Sequence, residues 1–316
     1  MSRNQSRRSF LQGTVSSVSA SQLLLAARSM NANPLNLPIG LQLYTVGKEM
    51  DSDAAGTLKK VAEIGYKNVE LSPMGKTPVS EMKKLLADNG LKSPSGHFML
   101  PDLMKDLQRN LDAAREIGQE DVIVTVPFVA DPSRLQGADQ MAAFLHMLNS
   151  LTLDDWKWNA EQFNKIGEQV KKAGLQLGYH NHNFEFKKYG STTGYDEFLR
   201  LTDPNLVKLE LDCGWVTVAG HDPVAYLDKF PDRYRYLHIK DFKKGFTPRT
   251  TLMDQNPGAP VPTELGRGSI DYHRIFAAAN KTKIRAYYVE QEPPFTEMPA
   301  LDAIKIDYDY LKSLPS

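Results

Sequence analysis

A chain of 316 residues with 41% hydrophobic and 24% charged side chains is long enough to bury a large core without covalent staples. Its single cysteine, Cys213, excludes an intrachain disulfide. The 38 basic and 38 acidic side chains balance, but Arg3, Arg7, Arg8 and Arg28 fall in an amino-terminal run with no acidic residue before Glu49, and without them 34 basic groups face 38 acidic ones. No basic stripe marks a nucleic-acid footprint, so no nucleic-acid partner is expected.

Ser6-Arg7-Arg8-Ser9-Phe10-Leu11 closely resembles the twin-arginine export motif. The apolar stretch after it ends in Leu23-Leu24-Leu25-Ala26-Ala27 and is interrupted by serines, far short of the roughly 20 apolar residues of a bilayer span. Small residues near Ala27 or Ala32 complete a cleavable address. Residues 1–32 therefore read as signal and linker, 33–316 as the mature domain. Periplasmic location without stable membrane insertion is the expectation. The route carries folded proteins, often with a cofactor already inserted.

From residue 38 onward, short apolar runs alternate with amphipathic segments. Strands are expected at 39–44, 68–71, 94–99, 121–126, 176–179, 207–211, 234–239 and 285–289. Helices are expected at 54–64, 79–88, 103–117, 156–172 and 301–311, the first four stopped by Gly65, Gly90, Gly118 and Gly174. Asp121-Val122-Ile123-Val124-Thr125-Val126 is an almost unbroken β-branched run, as expected of a strand buried on both faces. Eight β-then-α units predict an α/β fold, the single-domain (β/α)8 TIM barrel. An open doubly wound sheet would carry a Gly-rich turn after its first strand, and Thr45-Val46-Gly47-Lys48 is not one. Residues 243–268, rich in Pro and Gly, read as a long loop on the catalytic face, suited to a lid or a subunit contact. A homo-oligomer is therefore compatible with the sequence.

Catalytic groups of such barrels project from the carboxyl ends of the strands. Those ends read Gln42, Glu70, His97, then His180 with His182 and Glu185, then Asp212, His238 with Lys240 and Asp241, and Glu290 with Glu292. Seven of eight strands ending in polar groups form a constellation. Imidazole and carboxylate ligands suit a divalent ion such as Mn²⁺, Zn²⁺, Co²⁺ or Mg²⁺. No Cys pair exists for a structural zinc, and no Gly-x-Ser-x-Gly elbow for a serine hydrolase. Each residue also has a structural reading. The histidines would orient a loop, Asp212 would cap a turn, and Glu290 would pair with Lys240. Trp156, Trp158 and Trp215 would pack rather than stack on a sugar, and Arg267 would be a paired surface charge.

Tyr179-His180-Asn181-His182-Asn183-Phe184-Glu185-Phe186 resembles the fifth-strand signature of xylose-isomerase-like sugar isomerases and epimerases. Leu211-Asp212-Cys213-Gly214-Trp215, His238-Ile239-Lys240-Asp241, Leu265-Gly266-Arg267-Gly268-Ser269-Ile270-Asp271 and Val289-Glu290-Gln291 resemble the later motifs, in order. The resemblance implies a divalent ion held by a Glu on strand five, an Asp on six, a His on seven and a Glu on eight. Asp212, His238 and Glu290 match. Where many members read Glu-Asn-His, this chain has His180-Asn181-His182, so His180 replaces the glutamate unless Glu185 reaches the ion. The implied catalytic groups are Glu290, Glu185, His182 and Lys240; the implied carbohydrate contacts are Gln42, Glu70, His97, Trp215 and Arg267. The chemistry implied is proton abstraction beside a carbonyl. Epimerases of this kind use two metal-bound glutamates, whereas only Glu290 is evident here, which sets β-elimination or hydration of a keto-sugar or glycoside slightly ahead of isomerisation or epimerisation. An inosose-dehydratase-like lyase and a sugar-binding protein without turnover are the alternatives.

Overall fold

The computed structural model describes residues 33–72, 77–135, 140–252 and 256–315; the twin-arginine segment lies outside them. Eight parallel strands form one sheet: β1 (Ile39–Gln42), β2 (Asn68–Glu70), β3 (Ser95–Phe98), β4 (Asp121–Val124), β5 (Gln176–His180), β6 (Val207–Asp212), β7 (Tyr234–Ile239) and β8 (Ala286–Val289). The neighbour order is β2-β1-β8-β7-β6-β5-β4-β3. Parallel bridges Asn68–Lys92 and Leu71–Gly96 join the two ends, and His97 N donates to Leu71 O at 2.8 Å. The sheet is thus a closed barrel, and closure is what brings residues from distant strands onto one rim.

The packing has two parts. Outward-facing side chains such as Leu41, Val124, Tyr179, Leu209 and Leu237 join the large core beneath the helices. Inside the barrel a small separate cluster of Ile123, Tyr236, Ala286 and Tyr288 fills one layer. A strand's side chains alternate faces, so along β6 Leu209 and Leu211 enter the outer core while Glu210 and Asp212 share the barrel interior.

The helices α1 (Gly47–Ser52), α2 (Ala54–Ile64), α3 (Val79–Asp88), α4 (Leu100–Lys105), α5 (Leu107–Ile117), α6 (Gln140–Ser150), α7 (Leu153–Lys172), α8 (Gly194–Leu201), α9 (Cys213–Val218), α10 (Pro223–Lys229), α11 (Tyr272–Ala279) and α12 (Ala300–Ser313) surround it. Gly118 ends α5 at φ 93, a left-handed conformation nearly free of cost only for glycine. The helix expected over 103–117 is instead two. Asp106 leaves helical geometry at φ −152 and its side chain accepts from Arg109 N, so it caps α5. The connection after β4 holds a further helix, α6. The described residues of the 243–268 loop are mostly irregular, as expected, and a two-residue antiparallel pairing joins Asp241–Phe242 to Pro262–Thr263.

Candidate metal centre

Four of the residues singled out by their strand positions meet in space. His180, Asp212, His238 and Glu290 each offer one ligand atom, all within 4.8 Å of one another, and all four are buried. They lie at the carboxyl ends of β5, β6, β7 and β8, His238 one residue before the end of β7 and Glu290 one residue past β8, and these strands are adjacent in the barrel. Asp212 divides its two oxygens. Oδ1 caps α9 by accepting from Trp215 N at 2.7 Å, while Oδ2 lies 3.8 Å from His180 Nε2 and 2.9 Å from Lys240 Nζ. The capping and ligand roles therefore coexist in one side chain. Oδ2 has an ion-pair partner but no hydrogen bond of good geometry, so a buried acceptor faces the middle of the group unsatisfied. Two imidazoles and two carboxylates with an underused oxygen fit a divalent cation.

Lys240 lies against this group. Its ammonium is 2.6 Å from Glu290 Oε2 and 2.6 Å from Glu292 Oε1. Trp215 Nε1 donates to the same Glu292 oxygen at 2.9 Å, and the ammonium sits 5.3 Å from the Trp215 ring centre. Of the strand-five candidates, His180 is the one within reach. Glu185 turns back, accepting at Oε1 from Tyr179 OH at 2.7 Å and from His182 N at 2.8 Å, and so holds the loop that carries His182. The His182 ring stacks on Phe184 and faces Trp215.

Gln42, Glu70 and His97 form a second tier. Glu70 is fully buried. Its Oε2 lies 2.9 Å from Gln42 Nε2, 2.8 Å from His97 Nε2 and 2.7 Å from His238 Nε2, and its Oε1 accepts from Ser95 Oγ. This placement suits orientation of the imidazoles better than contact with a substrate. Arg267 pairs with Glu264 at 3.1 Å and is half-exposed, away from the ring of ligands. Trp156 belongs to the outer core.

Sequence reading missed Glu210, which is fully buried and lies 3.0 Å from His180 Nδ1 and 2.9 Å from His97 Nε2. The available signal was the alternation in Lys208-Leu209-Glu210-Leu211-Asp212, which sets Glu210 and Asp212 on one face. Ser95 and Tyr288, joined at 2.8 Å, were missed as well.

Burial and charge push these groups apart. Burial would raise Glu290, but the Lys240 and His238 charges outweigh it and hold the carboxyl well below its usual range. Burial raises Asp212 to about 6 although Lys240 opposes this. Burial and then the Lys240 charge lower His182 to about 3, so its imidazole is neutral near pH 7. Burial lifts Glu185 to about 8. His97 would be lowered by burial, yet the Glu70 charge and the Glu210 hydrogen bond bring it up to about 9; Gln42 Nε2, 3.2 Å from Nδ1, opposes a second ring proton. A pocket of about 900 Å³ opens over β1–β3, with Tyr44, Leu71, Met82, Met99 and Pro293 in its walls, and it reaches the second tier at His97, while His180, Asp212, His238 and Glu290 do not line it.

The model of the xylose isomerase-like TIM barrel family matches residues 58–314. The chain belongs to that family. An inosose dehydratase of Clostridium perfringens is 26% identical over 255 residues, covering 75% of this chain and 82% of the relative. A sugar phosphate isomerase/epimerase from Parabacteroides distasonis superposes with a TM-score of 0.69 at 26% identity, over 88% of this chain and 98% of the other. The IOLI protein, solved with a bound zinc atom, shares the fold at 12% identity and a TM-score of 0.61, over 86% and 96% of the two chains. Among the described residues, no helix is long and apolar enough to cross a membrane.

Proposed function

We propose that this protein is an exported, divalent-metal-dependent lyase of the family, acting by proton abstraction beside the carbonyl of a keto-sugar or oxidised glycoside. The observation that carries the proposal is the convergence of His180, Asp212, His238 and Glu290 within 4.8 Å; these four would hold the ion. A divalent ion bound there polarises a carbonyl and its neighbouring hydroxyl, which acidifies the adjacent C–H. Two imidazoles among the donors favour Zn²⁺, Mn²⁺ or Co²⁺ over Mg²⁺.

The chain's own groups supply the rest. Glu290 and the neutral His182 are the candidate bases beside the four ligands. Lys240 is held as an ammonium by Asp212, Glu290 and Glu292, because their charges outweigh its burial. Its part is to stabilise negative charge on a substrate oxygen. In the elimination, the base takes the proton from carbon, a C=C bond forms, and the β C–O bond breaks. The leaving oxygen then takes a proton.

Elimination is favoured over two-base epimerisation because β5 supplies an imidazole where a second carboxylate would stand. The inosose dehydratase relative supports the same choice. The pocket over β1–β3 has the size of sites that take ligands larger than one sugar ring, which supports a substituted sugar. Export rests on Arg7-Arg8 and the serine-rich apolar segment after them.

Elemental analysis of the purified protein, followed by incubation with keto-glycosides and their unoxidised counterparts in deuterium oxide, tests the proposal. The expected result is one metal ion per chain, with unsaturated product from the keto-glycosides only. Metal-free protein that turns over normally, or deuterated substrate returned with inverted configuration and no elimination, would overturn it.

A further inference from the structure

His180 faces one carboxylate through each ring nitrogen, and His238 faces one through Nδ1 and two through Nε2, Glu70 Oε2 at 2.7 Å being nearer than Glu210 Oε2 at 3.3 Å. His180 Nε2 points toward Asp212 Oδ2 at 3.8 Å, and its Nδ1 lies 3.0 Å from Glu210 Oε2. His238 reverses the pattern: Nδ1 is 2.9 Å from Glu290 Oε2, and Nε2 is 2.7 Å from Glu70 Oε2. A neutral imidazole has one N–H and one lone pair, so whichever carboxylate takes the proton decides which nitrogen coordinates.

We propose that Glu70 and Glu210 are positioning residues that fix opposite tautomers in the two ligand histidines. Glu210 accepts the Nδ1 proton of His180 and presents Nε2 to the ion; Glu70 accepts the Nε2 proton of His238 and presents Nδ1. This rests on the reading of His180, Asp212, His238 and Glu290 as the metal centre. Carboxylate acceptors behind ligand histidines orient the ring and raise its basicity.

The lower tier is built for this. Glu70 and Glu210 are both fully buried, and two unbonded carboxylates there would be costly. His97 bridges them, with Nε2 at 2.8 Å from Glu70 Oε2 and 2.9 Å from Glu210 Oε2. Glu70 is further fixed by Gln42 and Ser95. Gln42 is oriented in turn because its Oε1 accepts from Tyr44 N and Ser72 Oγ. His97 is thus the brace between the two positioning carboxylates.

The same tier could also be read as a second ion site, since ligand atoms of His97, His180, Glu210 and His238 lie within 4.8 Å of one another. With both sites filled, His180 and His238 would each have to surrender both ring protons and bridge two ions. A proton on each inner nitrogen, held by a carboxylate, asks for nothing so unusual.

Nitrogen-15 spectra of histidine-labelled, metal-free protein test the tautomer of His180 directly; the expected signal is a protonated Nδ1 with a lone pair at Nε2. Titration with Zn²⁺ should then give one ion per chain, with His180 bound through Nε2 and His238 through Nδ1. Glu210→Gln keeps an acceptor oxygen and Glu210→Leu does not. Zinc affinity should fall in the order wild type, Gln, Leu, by about 10–100-fold in total. Glu70→Gln should weaken binding as well, with a changed Co²⁺ absorption spectrum and near-wild-type circular dichroism. An Nε2-protonated His180, unchanged zinc affinity in all three variants, or a second zinc lost in His97→Ala would each overturn the inference. A wild-type chain that binds no zinc but shows the expected His180 tautomer would instead sink the metal reading and leave the positioning of His180 standing.

Discussion

At the scale of single residues, the site sets one oxygen or nitrogen of each side chain to structure and the other to chemistry. Asp212 caps α9 with Oδ1 and faces His180 and Lys240 with Oδ2. Asp212→Ala and His238→Ala should therefore both lower bound metal sharply, and elemental analysis reads that. The barrel should stay folded, because these groups end strands rather than fill the aromatic layer below. Full occupancy in both variants would place the site elsewhere. Glu290→Gln keeps an oxygen donor but not the base, so turnover should fall about 10²–10⁴-fold while more metal is retained than in Glu290→Ala. Unchanged turnover in the Gln variant would leave His182 as the base. Strand five has its own pair of outcomes. His180→Ala should strip metal and Glu185→Ala should spare it, since Glu185 is spent on Tyr179 OH and His182 N.

At the scale of elements, the segment after β7 depends on one carboxylate. Asp241, nearly fully buried, accepts from the backbone N–H groups of Phe242, Gly266, Gly268, Ser269 and Ile270. The chain passes so close that a Cβ on Gly268 would collide with the Asp241 carboxylate. Removing the acceptor strands two buried donors, those of Phe242 and Ile270, and three part-buried ones, and a buried donor left unpaired carries a desolvation penalty. Asp241→Ala should cost on the order of 3 kcal/mol in chemical denaturation, with Asp241→Asn between it and the wild type. A loss below about 0.5 kcal/mol, the range of ordinary surface changes, would show that the loop is held by other contacts. The motif that carries Gly266 to Asp271 was legible in the sequence. That Asp241 is the group it wraps was not, because 25 residues separate Asp241 from Gly266, whose N–H is the first it accepts within that motif.

At the scale of the whole molecule, stability should depend on pH through a group remote from the metal. Asp307 on α12 is buried; burial raises its carboxyl to about 8 despite the hydrogen bond from Leu265 N. A raised folded pKa means that the native state holds a proton the unfolded chain releases near pH 4. Its contribution is thus complete in acid and is lost as pH rises through that window toward 8. Asp307→Asn keeps the acceptor for Leu265 N and removes the titration. Its melting temperature relative to wild type should climb steadily between pH 4 and 8, with a difference of a few kcal/mol at the alkaline end. A difference that stays flat with pH would contradict the buried-acid account. Export is also a property of the full chain: Arg7→Lys together with Arg8→Lys should leave the precursor in the cytoplasm by cell fractionation, and normal periplasmic accumulation would remove the export proposal.

The sequence by itself determined the eight βα units, the helix-ending glycines and the polar strand ends, because strand alternation, helical periodicity and turn chemistry act over a few neighbouring residues. It also brought Asp212, His238 and Glu290 forward through their motifs. Only the tertiary structure decided that Glu185 turns away while His180 turns in, that Arg267 stays with Glu264, and that Glu70, His97 and Glu210 form a braced tier beneath the ligands. Those outcomes depend on barrel closure and on inter-strand register, which set side chains more than a hundred residues apart, such as His97 and Glu210, within hydrogen-bond reach. A charged residue on a short apolar strand announces that it needs a buried partner; which partner it meets is fixed only when the strands close on one another.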